Sequence, residues 1–127
     1  MPNFGDCAVL AANIAGNNHV NPKDAWVRAV VKIFPHSESC QKKGCPRSVF
    51  LGLCEEGFIR GVPKGHYTRS ADNKRYAVDA VGALLKEPRL AGNKQQLWQR
   101  IPGHPTHENG QMEIVISLWK QNLLADR

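Results

Sequence analysis

Apolar residues recur along this chain at three- and four-residue spacing, the period of helices buried on one face, and no stretch alternates convincingly as a strand would. Six helices are predicted. The first spans about Phe4–Ala15, with Phe4, Cys7, Ala8, Ala11 and Ile14 on one face and Gly16 following as a stop. In "NPKDAWVRAVVKIFP", Asn21 is an N-cap, Pro22 fits the first helical position and Asp24 sits in the first turn. Ala25, Trp26, Ala29, Val30, Ile33 and Phe34 then form a wide apolar stripe that Pro35 ends. The third helix is expected from about Pro46 to Glu56, with Val49, Phe50, Leu53 and Cys54 inward, Ser48, Gly52, Glu55 and Glu56 opposite, and Gly57 just past the end. A fourth starts at the cap Ser70, carries Tyr76, Ala77, Ala80, Val81, Leu84 and Leu85, and stops before Pro88. A short fifth follows Asn93 and buries Leu97, Trp98 and Ile101; a sixth spans about Gln111–Leu124.

The expected fold is all-α: one helical domain over residues 1–127, about six helices in a bundle or orthogonal array, with tryptophans on three helices sharing a core. A chain of 127 residues buries roughly two-thirds of its unfolded surface and needs no staples. No apolar run approaches the ~20 residues of a membrane span, and the N-terminus lacks the basic segment of a signal peptide. The expected location is therefore cytoplasmic, with the four cysteines as free thiols.

Charge changes this picture. The formal net charge is +6, and the middle of the chain, residues 36–75, holds eight Lys/Arg against four Asp/Glu. An excess gathered there favours anionic partners. Lys42, Lys43 and Arg47 flank the start of the third helix, where free N–H groups could hold a phosphate or carboxylate. Lys64, Arg69, Lys74 and Arg75 follow with Tyr67 among them, a pattern of cations and a stacking ring that suits a nucleic-acid backbone.

The thiols offer other chemistry. His36, Cys40, Cys45 and Cys54 could in principle ligate zinc, but only the first two of their three spacings resemble a knuckle and Cys54 falls on a core face, so no metal site is expected. His104 and His107 lie in a loop with Pro105 between them and read as surface polar residues. Cys45 is a candidate nucleophile, because a helix start among Lys42, Lys43 and Arg47 favours a thiolate. No phosphate loop, dinucleotide fingerprint or catalytic triad pattern is present, and no cofactor is implied.

The segment "QKKGCPRSVFLGLCEEGFIRGVPKGHYTRSADNKRYAVDAV" (Gln41–Val81) resembles the central part of a family of small bacterial proteins of unknown function. "FGDCAVLAA" near the N-terminus and "NGQMEIVISLW" (Asn109–Trp119) are similar to that family too, whereas Ile101–Glu108 is not. Such families occur among mobile elements and integron gene cassettes, so the resemblance implies a cassette-encoded protein and carries no catalytic residue. The function expected from the residues is a non-enzymatic binding module with an anion-preferring surface at Lys42, Lys43, Arg47, Lys64, Tyr67, Arg69, Lys74 and Arg75, for nucleic acid or a small anionic ligand. The alternatives are a small enzyme or redox protein using Cys45, and a homo-oligomer (a dimer, for example) that covers the apolar faces of the second or sixth predicted helix.

Overall fold

Polar caps set most of the helix starts in the computed structural model, which describes residues 3–125. Helix α1 (Phe4–Asn18) opens with a reciprocal box: Asp6 N–H donates to Asn3 Oδ1 and Asn3 N–H to the Asp6 carboxylate, both at 2.9 Å. Asn21 caps α2 (Pro22–Ile33) by accepting from Lys23 N–H, with Pro22 in the first turn as expected. Ser37 starts a single turn, α3 (Glu38–Gln41), which holds Cys40 and for which the sequence predicts no helix. Helix α4 covers Gly44–Glu55, and α5 (Ala71–Lys86) begins after Ser70, whose hydroxyl accepts from Asn73. An unpredicted 3₁₀ turn (Pro88–Gly92) leads into α6 (Lys94–Gln99), capped by Asn93, and α7 runs Gln111–Lys120.

Two of the predicted stops are corrected by packing. Helix α1 continues through Gly16 to Asn18, and His19 takes the left-handed cap at φ 54°. Gly16 is small for another reason: a Cβ there would lie 2.6 Å from the backbone oxygen of Arg60. Helix α7 ends at Lys120 instead of Leu124, because Asn122 turns left-handed at φ 56°. The Asn122 N–H reaches Trp119 O at 3.1 Å and the Leu123 N–H reaches Leu118 O at 3.0 Å. Helix α4 ends in the same way, with Gly57 at φ 77°, its N–H on Cys54 O at 3.1 Å, and Phe58 N–H on Leu53 O at 2.9 Å. The two tails then meet. Ile59 bridges Leu124 antiparallel, with Arg60 N–H donating to Leu123 O and Ala125 N–H to Phe58 O.

Helix α4 is the central element. Val49, Phe50, Leu51, Leu53 and Cys54 are all buried, and Ser48 and Gly52, expected on an outer face, are buried as well. Helix α5 lies along α4 so closely that a Cβ on Gly52 would fall 2.9 Å from Lys74 Cα. On the other side, small residues of α1 (Ala8, Ala11, Ala12, Ala15) let α2 and α7 approach it. Ring pairs tie the layers together: Phe4 with Phe34, Trp26 with Phe50, and Tyr76 edge-on to Trp98. Trp26 and Trp98 enter the shared core, while Trp119 only packs against it. The apolar face of α7, one of the two offered above for self-association, is core: Met112, Ile114, Val115 and Leu118 are fully buried. On α2, by contrast, Val27 and Val31 remain exposed. Among the described residues no helix is long and apolar enough to cross a membrane.

Candidate functional site

The stack of Trp26 on Phe50, with centroids 5.4 Å apart and planes 27° from parallel, pins α2 to α4. One turn before each ring stands a cation: Lys23 on α2 and Arg47 on α4. Four residues after each cation comes an apolar side chain, Val27 and Leu51 respectively. These four residues line a cleft of about 500 Å³ together with Ser48. Segment 67–70 supplies the third wall, with Tyr67, Thr68, Arg69 and Ser70. No Asp or Glu is among the lining residues.

Glu55 holds that third wall in place. It lies two turns beyond Arg47 on α4, and its Oε1 accepts from Tyr67 N–H at 2.8 Å and from Thr68 N–H at 3.3 Å. Its other oxygen binds Lys74 Nζ at 2.7 Å. The Lys74 ammonium, with help from the two N–H donors, holds the Glu55 carboxyl at about 2, well below its ordinary range, against the opposing effect of burial. The Tyr67 hydroxyl donates to Pro63 O at 2.9 Å, and Ser70 N–H donates to Thr68 Oγ1 at 3.1 Å. Ring and loop are thus fixed by the protein itself. Farther back, the Ser70 cap connects through Asn73 to the amide of Gln111, a buried residue that also accepts from Asn109 N–H.

A family model described as "Family of unknown function (DUF6979)" matches residues 1–125. The chain belongs to this family. The match takes in Ile101–Glu108, the one stretch left outside the sequence resemblance. No curated protein and no solved structure matches the chain. Membership in DUF6979 assigns no activity, so the chemistry of this member rests on its own residues.

The eight cationic and aromatic positions singled out in this DUF6979 chain do not converge as one surface. Arg47, Tyr67 and Arg69 meet at the cleft. Lys42 is paired with Glu38 at 2.5 Å, and Lys43, the N-cap residue of α4, stands over the Phe4 ring at 5.6 Å. Lys74 is neutralised by Glu55 and by Glu56 at 3.0 Å. Arg75 contacts Asp79 at 3.5 Å, donates to Pro102 O at 2.8 Å and lies over Tyr76. Lys64 packs its stem beside Gly57 instead of facing the cleft. Lys23, which the sequence reading passed over, completes the group; its charge lies in the first third of the chain, and only the tertiary stacking of Trp26 on Phe50 brings it across from Arg47. Among the described residues, Lys23, Arg47 and Arg69 form no ion pair.

The cysteines separate by burial. Cys54 lies in the core, as its helical position implied, and burial pushes its thiol up. Burial, with Asp6 and Cys40 adding to it, pushes Cys7 up to about 12. Cys45 is half-buried at the second position of α4 and not at its cap, since Gly44 and Lys43 extend the helix start by two residues. Pro46 falls third, where its missing N–H still costs no helical hydrogen bond. His104 is packed on Trp98 at 5.3 Å, and its Nδ1 and the Trp98 indole N–H share the Pro105 carbonyl. Among the described residues, no three His, Cys, Asp or Glu side chains are placed to hold a metal ion.

Proposed function

We propose that this chain is a non-enzymatic binding module whose anion-preferring site is the cleft between α2, α4 and segment 67–70. Its direct contacts are Lys23, Arg47 and Arg69, with Tyr67 as the ring wall. One observation carries the reading: three cations without ionic partners among the described residues line one cavity that contains no carboxylate. A volume of about 500 Å³ suits a small ligand, within the ~300–1,000 Å³ usual for such sites. Because Lys42, Lys74 and Arg75 are already neutralised or engaged, an extended basic track for a long nucleic acid is less well supported than a single small phosphate- or carboxylate-bearing ligand. The same reading places the protein in a bacterial cytoplasm, encoded on a mobile element or integron cassette, in keeping with the resemblance described above.

The test is equilibrium binding of a mononucleotide and of single-stranded oligonucleotides of increasing length at low ionic strength. The small-ligand reading expects affinity to be nearly independent of length and to fall at least about tenfold in Arg47→Ala/Arg69→Ala, since a charge-assisted contact is worth roughly 1.5–3 kcal/mol. Lys42→Ala/Lys64→Ala, two exposed lysines outside the cleft, should leave it unchanged. Affinity that climbs with length and responds equally to both double variants would contradict the reading and favour a nucleic-acid surface.

A further inference from the structure

The same cleft carries a second signal, which rests on the anion-site reading and goes beyond it: its walls are not only charged. Val27 is 55% exposed and lies beside the opening, one turn from Val31 at 48% on the same face of α2. Among the described residues, large apolar groups so exposed are few, with Leu85 the other. Each helix sets a cation and an apolar side chain at i and i+4 along the cleft, Lys23 with Val27 and Arg47 with Leu51. The third wall repeats the combination with the Tyr67 ring and Arg69.

That ring is held ready. Its hydroxyl is tied to Pro63 O, its backbone to Glu55, and Gly65 leaves the room it occupies, since a Cβ there would stand 2.7 Å from Tyr67 Cζ. A surface fixed before the ligand arrives loses little entropy on binding. Tyrosine and arginine both offer planar faces for stacking. An inorganic anion would engage the cations and leave Val27 and the part-buried Tyr67 side chain uncovered in a cavity of this size.

We infer that the ligand is a small aromatic anion: a flat ring system laid against Val27 and Tyr67, bearing a phosphate or carboxylate held by Lys23, Arg47 and Arg69. Ser48 also lines the cleft, and its hydroxyl can meet a polar substituent on that ring.

Three probes separate this inference from the reading it rests on: naphthyl phosphate, inorganic pyrophosphate and naphthol, each titrated into the full chain, Val27→Ser and Arg47→Ala/Arg69→Ala. Val27 is exposed, so its substitution does not threaten folding. Naphthyl phosphate is expected to bind tightest, roughly tenfold or more above pyrophosphate, as ring stacking on an aromatic side chain allows. Val27→Ser should weaken naphthyl phosphate alone, and the double arginine variant should weaken both anions. Pyrophosphate binding as tightly as naphthyl phosphate, with Val27→Ser silent, would overturn the aromatic inference and leave the anion site standing. Naphthol binding as tightly as naphthyl phosphate, or no anion binding at all, would overturn both.

Discussion

Single residues here act through what they touch, and two glycines show it with opposite signs. Gly16 sits in α1 against the backbone oxygen of Arg60, so Gly16→Ala must push main chain apart; overpacking of this kind costs about 1–3 kcal/mol, and a urea midpoint should fall accordingly. Gly82 lies within α5 with nothing within 4 Å of an added Cβ, so Gly82→Ala should add about 0.5–1 kcal/mol of stability through helix propensity and raise the midpoint. Glu55 works through charge. Its carboxyl, ordinarily near 4.5, is held at about 2 by Lys74 and two backbone donors. A depressed folded value means that its stabilisation is complete above the unfolded value and is lost as pH falls toward about 2. Stability of the native chain should therefore drop between about pH 4.5 and 2, and Glu55→Gln should flatten that limb while lowering stability at neutral pH. Denaturant titrations at several pH values would check both signs. Nothing in the sequence marks Glu55 as the post for residues 67 and 68: its partners are far along the chain and are backbone groups, which no side-chain pattern announces.

At the scale of elements, local chemistry was readable and tertiary demands were not. Asn21–Pro22, Ser70 and Asn93 start helices where the sequence says they should, because a cap acts within three residues of itself. The misread ends have tertiary causes. Gly16 reads as a stop but serves a close approach, and Asn122 ends α7 early because its tail pairs with the tail of α4. The start of α7 is a similar case. Gly110 is its cap residue at φ 88°, and Glu108 supplies the acceptors, taking Gly110 N–H at 3.1 Å and Met112 N–H at 2.7 Å. Glu108→Ala should cost about 0.5–2 kcal/mol, the range for a lost N-terminal cap, with faster hydrogen exchange at the Gly110 and Met112 amides. Unchanged exchange there would remove Glu108 from the capping role.

For the molecule as a whole, the charge excess around residues 36–75 does not say which of its cations share one cleft. Composition counts cations; it does not show which of them meet carboxylates once α4 and α5 lie side by side. Lys74 is spent on Glu55 and Glu56, and Arg75 turns to Asp79 and Pro102. Lys23 gains its place only because Trp26 stacks on Phe50. The proposal turns on Lys23, Arg47 and Arg69 forming one anion site. Amide NMR of the labelled chain, titrated with pyrophosphate at low ionic strength, tests it most directly. Binding at this site shifts only the first turn of α2, Arg47–Leu51 and residues 67–70, which saturate together and lose their shifts in Arg47→Ala/Arg69→Ala; shifts scattered over Lys42, Lys64 and Lys74, or none at all, would contradict the proposal.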